Sequence, residues 1–528
     1  MKNSVRLMVA TLTMTSALAT TPALARTLNI GAIGELASFD TSQVSGGTWE
    51  SDILMDVYEG LVKENPSGKL LPGMATSWET SDDGLTWTFH MRDGAKWSDG
   101  TPVTADDFVF GWRHLLNPAN ASKYAYNLYP IKNAEAVSTG KQPLDALGVA
   151  SRDNGKTLEV TLNQPTPYFL QLMAHYTAFP QPKHLVEKYG KDWTGMEHIA
   201  TNGAFHPVQW VSQSRITTEK NPAYYDVSQV ALDGVNYFTS EDRNAGISRF
   251  RSGQFDVLRE YPSNRYQWLK ENLPDATHMS PMLGNYYYVF NQRKGEPTAD
   301  PRVREALNLA IRRDVLAKQI MGGTFLPAYA FVPPGVNNYT RQPLAFKGEP
   351  MAERMKRARA LMKDAGYGPD HPLTLNLRYN SSDEHKKIAI AVAAMWKPLG
   401  VKTQLQQAEA TVHYQAIAEG DFNVARAAWI ADYDDAENFL SLLSTGAGNN
   451  YGAYSSPAFD ADMKKAANTA DPAAREKLLE HAEAIAMQDN AVAPLLFYVT
   501  RNLVNPDLEG WEDNVKDNHP SRWVSFKE

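Results

Sequence analysis

Apolar and polar positions alternate over Leu85, Trp87, Phe89 and Met91, the period-2 pattern of a half-buried antiparallel strand. The same period predicts strands over 157–162 and over Leu373, Leu375, Leu377 and Tyr379. Helical spacing appears at Ile53, Leu54, Val57, Tyr58 and Leu61, which predicts a helix over 51–62, before a break at Leu71-Pro72-Gly73. Thr104 with Asp107 three residues on forms a near capping box for a helix continuing to Leu116. Further helices are expected over 245–252, 303–321 (closed by Gly322-Gly323), 351–365 (stopped by Gly366), 383–396 and, from the Asp471-Pro472 start, to about Met487. Short strands are expected over 27–33, 214–218, 235–238, at Val257, and over 285–291, 401–405 and 495–500. The strand–helix–strand order of 373–405 leads into another apolar run at 424–429, so this region reads as α/β.

That last run carries the chemistry. Residues 423–433 place Arg426, Trp429 and Asp432 among small apolar residues. In a strand, Arg426 and Asp432 are at even spacing and can share a face. Trp429 joins them only if the strand bends or ends near it. Two charges on an apolar strand are costly unless each has a partner. They pair with each other, or they serve the two ends of a zwitterionic ligand. Elsewhere, Arg354, Lys356 and Arg357 read as a solvated helix face, and His385 as part of a capped, solvated first turn. The three tyrosines at 286–288 must alternate faces, with core packing as their default role.

The first residues add an address. Lys2 and Arg6 precede an apolar stretch over 7–19 and an Ala23-Leu24-Ala25 site, the pattern of a cleaved signal peptide with a mature start near Arg26. No later stretch is apolar enough to span a bilayer. The formal charge of −8 becomes two units more negative once Lys2 and Arg6 are removed, which argues against a nucleic-acid partner. The chain has no Cys, so disulfides, thiolate metal sites and Cys nucleophiles are excluded. There is no P-loop, G-x-S-x-G, H-E-x-x-H or EF-hand loop, and the glycine-rich 446–452 stretch reads as a loop. No catalytic, metal or cofactor site is expected. At 528 residues the chain suggests roughly two to four domains.

Taken in order, several segments resemble the family 5 solute-binding proteins of bacterial ABC importers, in the peptide-binding branch. They are Asp56-Val57-Tyr58-Glu59-Gly60-Leu61, Trp87-Thr88-Phe89-His90-Met91-Arg92, residues 96–108, Asn202-Gly203-Ala204, Asp300-Pro301-Arg302-Val303-Arg304, Leu326-Pro327-Ala328-Tyr329, residues 379–387 and residues 424–433. The resemblance implies an α/β, three-lobed periplasmic-binding-protein type II fold that closes by a hinge over its ligand. Domain I would comprise 26–70, 194–282 and 498–528, domain II 71–193 and domain III 283–497, after a signal peptide at 1–25. The ligand would lie between domains I and III. Its α-ammonium would meet Asp432, its carboxylate Arg426 and His385, and Trp429, Tyr126 and Ala428 would line the site. The implied role is a monomeric periplasmic receptor handing short peptides to a membrane permease, with no enzymatic activity. A murein-derived tripeptide or another small amphipathic solute is the alternative ligand, and a secreted hydrolase the alternative class. Against the family pattern, Ile430 and Gly284 stand where close relatives carry Cys. Ala410, Ile417 and Ala418 replace a pocket Trp and an Arg-His pair, Ser45 stands near a lost Glu, and Lys318 is out of register with a carboxylate-binding Lys. The groups for the ligand's ends are thus better kept than its side-chain pockets.

Overall fold

The N-terminal strand, Thr27–Ala32, takes the middle of a seven-stranded sheet. It runs parallel to Gly234–Thr239 on one side and to Val257–Leu258 on the other. Val257–Leu258 pairs in turn with Asn502–Val504, from near the C-terminus. Residues 26–44 and 48–527 are described in this computed structural model; the leader at 1–25 and Ser45 lie outside them. A second, four-stranded antiparallel sheet is built from Ala75–Thr80, Thr86–Met91, Val149–Arg152 and Thr157–Thr161. A third, six-stranded sheet draws on strands between Pro281 and Val499. Two neighbouring connections join the first and third sheets, and Thr500 N donates to Ser280 O across them at 2.8 Å.

The third sheet positions the charged strand. Leu373–Asn380 and Val401–Ala408 lie parallel with helix Asp383–Trp396 between them, as the alternating and helical periods predict. Val424–Ile430 is central, antiparallel to Pro281–Phe290 and parallel to Leu373–Asn380. Its register places Tyr288 opposite Arg426, Tyr286 opposite Ala428 and Gly284 opposite Ile430. The tyrosine run alternates as expected. Tyr287 packs edge-on to Phe331 at 4.9 Å, and Tyr286 and Tyr288 turn to the Arg426 face. All three are buried. Gly284 and Ile430, where the resemblance led one to expect Cys, are thus direct neighbours, and the Ile430 side chain fills the space at Gly284, where an added Cβ would come within 2.6 Å of Ile430 Cδ1.

Three local expectations change. The helix expected over 51–62 is Thr48–Val57, followed by a strand Val62–Glu64 paired with Leu70–Pro72. The Asn202 side chain takes over at the helix end. Its Oδ1 accepts from Glu59 N at 3.1 Å and its Nδ2 donates to Glu59 O at 2.9 Å. The helix expected over 303–321 breaks after Ala310, where Ile311 is extended. Fully buried Arg313 donates to Pro494 O at 2.7 Å and to Asn308 O, which also accepts from Ile311 N, at 3.2 Å. Arg354, read as a solvated face residue, is buried instead, with Nη2 on Ile311 O at 2.8 Å and its guanidinium over Phe346. The helix break exposes carbonyls, and buried carbonyls need donors. The capping box at Thr104 forms as predicted, with Asp107 Oδ2 accepting from Thr104 N at 2.8 Å.

Candidate functional site

Arg426 is only 6% exposed, yet every hydrogen-bond partner it has is neutral. Nη1 donates to Asn380 Oδ1 at 3.1 Å and Tyr414 OH at 3.0 Å; Nη2 donates to Tyr498 OH at 2.7 Å. The guanidinium lies 4.8 Å from the Tyr286 ring centre. Neutral acceptors and a ring face solvate the charge without cancelling it. His385 stands beside this cage, its ring 5.4 Å from Tyr286. Its helix turn is capped by Ser382 as expected, but the imidazole itself is partly buried. Burial, then the Arg426 charge, then His413 push its pKa down to about 3, so the imidazole is neutral. His413, fully buried behind the strand, bonds the Arg426 carbonyl at 2.9 Å.

Asp432 lies past the end of the strand. Six residues at ~3.4 Å each put its backbone up to roughly 20 Å from that of Arg426. It makes no pair with Arg426. Instead, Tyr126 OH donates to Asp432 Oδ2 at 3.1 Å. Burial raises the Asp432 pKa to about 6, with hydrogen bonds from Tyr126 and Asn438 holding it back from further rise. Asn438 Oδ1 also accepts from Trp429 Nε1 at 2.7 Å and from Asp432 N at 3.3 Å. That bridge fixes the indole next to the carboxylate. Trp429 points to the face opposite Arg426, and it reaches Asp432 because the strand ends at Ile430. Ala428 shares the Arg426 face.

Tyr126 belongs to the part of the chain that builds the four-stranded sheet, Asp432 to the part that builds the six-stranded one. A second contact between the same parts is the flat stack of Tyr168 on Tyr433 at 4.5 Å. Asp432 therefore sits at a seam, and it lines two cavities there. One, of about 170 Å³, is walled by parts of all three sheet regions, including Met55, Tyr124, Met282 and Ile430. The other, of about 410 Å³, runs between Tyr126 and Tyr168 on one side and Trp429, Tyr433 and Asn438 on the other. Among the positions that depart from the family pattern, Ile417 is core, and Ala410, Ala418 and Lys318 are exposed. Sequence reasoning missed Asn438, Tyr414 and Tyr498, which carry no periodic or motif signal. Among the described residues no group of three or more His, Cys, Asp or Glu is placed to hold a metal ion, and no helix is long and apolar enough to cross a membrane.

The family model described as bacterial extracellular solute-binding proteins, family 5 Middle, matches residues 69–451. The chain belongs to the family 5 extracellular solute-binding proteins. It is 39% identical over 482 residues to the periplasmic oligopeptide-binding protein OppA of Salmonella typhimurium, covering 90% of this chain and 88% of that one. It is 38% identical over 483 residues to the periplasmic murein peptide-binding protein MppA of Escherichia coli, covering 91% and 89%. The solved structure of MppA in its unliganded open form superposes with a TM-score of 0.83 at 36% identity, covering 96% of this chain and 98% of that one. This family 5 protein thus has the α/β fold that its sequence led one to expect.

Proposed function

We propose that this family 5 protein is a periplasmic receptor of an ABC importer, that it encloses short peptides between its lobes, and that it passes them to an inner-membrane permease. The observation that carries the reading is Asp432: a carboxylate at a seam, lining two cavities, with its pKa lifted to about 6 by burial and no cation among its hydrogen-bond partners. A ligand ammonium supplies the missing charge. At ~4 Å and an effective dielectric of ~20, that pair gains on the order of 4 kcal/mol, set against the cost of desolvating both groups. Arg426, with neutral partners, is matched to the ligand's carboxylate, and His385 lies close enough to share it. Trp429 and Tyr126 wall the cavity beside Asp432, and Ala428 lies on the Arg426 face of the strand.

In this reading the lobes are domain I (26–70, 194–282, 498–528), domain II (71–193) and domain III (283–497), and closure is a hinge motion at the paired connections. The receptor is a monomer without enzymatic activity. His385, neutral beside a fixed cation, is a poor general base. Export by a signal peptide cleaved near Ala25 completes the proposal. The similarity to a murein peptide-binding protein favours murein-derived tripeptide as the second ligand reading. Mass spectrometry of what co-purifies from the periplasm tests both. A free-amine peptide is the expected result; a ligand without an amine sinks the role of Asp432. Incubation with tripeptides should leave them intact, and hydrolysis that tracks the protein through purification contradicts the receptor reading.

A further inference from the structure

Beside the two connections that join the first and third sheets, side chains from both regions meet on one carboxylate. The connections themselves are stapled: Ser280 N donates to Thr500 Oγ1 at 3.1 Å, and Thr500 N returns a bond to Ser280 O at 2.8 Å. Arg501 comes next, and its carbonyl accepts from Tyr261 N at 3.0 Å. That bond holds Arg501 against the turn that follows strand Val257–Leu258 of the seven-stranded sheet. From this turn, Ser263 Oγ donates to Glu384 Oε1 at 2.6 Å. Arg501 Nη1 lies 3.6 Å from the same oxygen. Glu384 belongs to the other region, in the first turn of helix Asp383–Trp396. Gln267 Nε2, donating to Gly322 O at 3.4 Å, is a further bond between the two.

Two observations single out Glu384. The Arg501 side chain is 10% exposed, its Nη1 makes no hydrogen bond, and Glu384 is its one ion-pair partner among the described residues. A buried cation that loses its carboxylate is left uncompensated, which is costly. Glu384 also adjoins the carboxylate cage. His385 follows it in the chain, and Tyr498, which accepts from Arg426 Nη2 at 2.7 Å, stands two residues before Thr500. Resting on the receptor reading and hinge closure above, we infer that Glu384 is a clasp between lobes I and III: through Ser263 and Arg501 it stabilises the closed arrangement and slows release of the ligand. The clasp is formed here together with the seam contacts of Tyr126 on Asp432 and Tyr168 on Tyr433. Opening parts Ser263 from Glu384 and strips Arg501 of its carboxylate. An interaction made in one arrangement and lost in the other shifts the population between them.

Ser263 is the place to test this, because it lies across the boundary from the cage and its removal changes no charge near the ligand's carboxylate. The chain has no Cys, so Ser228→Cys and Lys402→Cys, both at exposed positions, give two selective spin-label sites on lobes I and III of the full chain. Label distances report opening, and stopped-flow Trp fluorescence reports release of the tripeptide Leu-Ala-Ala. Ser263→Ala should release the peptide about fivefold faster than wild type and add a second, shifted distance population. In a Glu384→Leu background the same change should do nothing more, since its partner is gone. Release and distances both unchanged in Ser263→Ala overturn the clasp. So does slower release, which places the contact in the open arrangement, or an effect of Ser263→Ala that persists in the Glu384→Leu background. If wild type fails to bind the peptide at millimolar concentration, the peptide reading falls, and the distances in the free protein alone decide on the clasp.

Discussion

The two ends of the charged strand are built on opposite plans. The Arg426 end is finished within one sheet region, where Asn380, Tyr414, Tyr498 and Tyr286 surround the guanidinium with neutral groups. The Asp432 end is shared between regions, and its Tyr126 hydrogen bond crosses the seam. One end is a preformed cage around a permanently charged group. The other is assembled from two parts of the chain that meet at the seam, around a group that titrates. On the proposed reading, a ligand's carboxylate would find its receptor ready, while its ammonium would read whether the seam is closed and what the pH is.

Substitution at the seam should break this contrast most. Asp432→Asn should weaken a free-amine tripeptide by about 2–5 kcal/mol and abolish its preference over the N-acetylated form, measured by calorimetry. An undiminished preference removes Asp432 from its role. At the other end, Arg426→Met should cost about 2–3 kcal/mol of binding while thermal melts hold steady or rise, since a buried cation without a carboxylate is a poor source of stability. A fall in melting temperature that matches the affinity loss makes the cage a folding element instead.

The pH response separates the two ends further. Asp432 has a raised pKa in the free protein, about 6, and must be ionised to hold an ammonium. Affinity should be full above that value and fall about tenfold per unit below it, and the fall should vanish in Asp432→Asn. Arg426 is charged throughout, and His385, with its pKa near 3, stays neutral over the same range. A profile flat from pH 7 to 5 in wild type contradicts this assignment. The smallest effect is expected from Tyr126→Phe, which deletes one hydrogen bond across the seam, at about 0.5–1.5 kcal/mol of affinity.

What could be read from the chain follows the range of each interaction. The run from Leu373 through helix Asp383–Trp396 to Val401 was legible because period and caps are local properties. The break at Ile311 was not, because Arg313 reaches Pro494 O, 181 residues away. Arg354 misled for the same reason: its helix is basic and amphipathic, but its acceptor is the carbonyl freed by that distant break. At the site, Arg426 and Asp432 stood out as charges in an apolar run. Their mutual pairing was the reading that failed: the strand stops at Ile430, close to the end of the 424–429 run, and Asp432 lies beyond it. Asn438 gave no signal at all; its importance is that one oxygen touches both Trp429 and Asp432.

The weave of the first sheet has a consequence for the order in which the molecule can be made. Val257–Leu258 sits between Thr27–Ala32 and Asn502–Val504, and Arg522, in the last turn of the chain, is ion-paired with Glu59. Segments more than 450 residues apart in the chain are thus parts of one structural unit. A chain emerging from its N-terminus can complete the antiparallel sheet of 75–161 early, yet the first sheet stays open until Asn502–Val504 has been made. Closure of the first sheet is therefore a late step in the assembly of the fold.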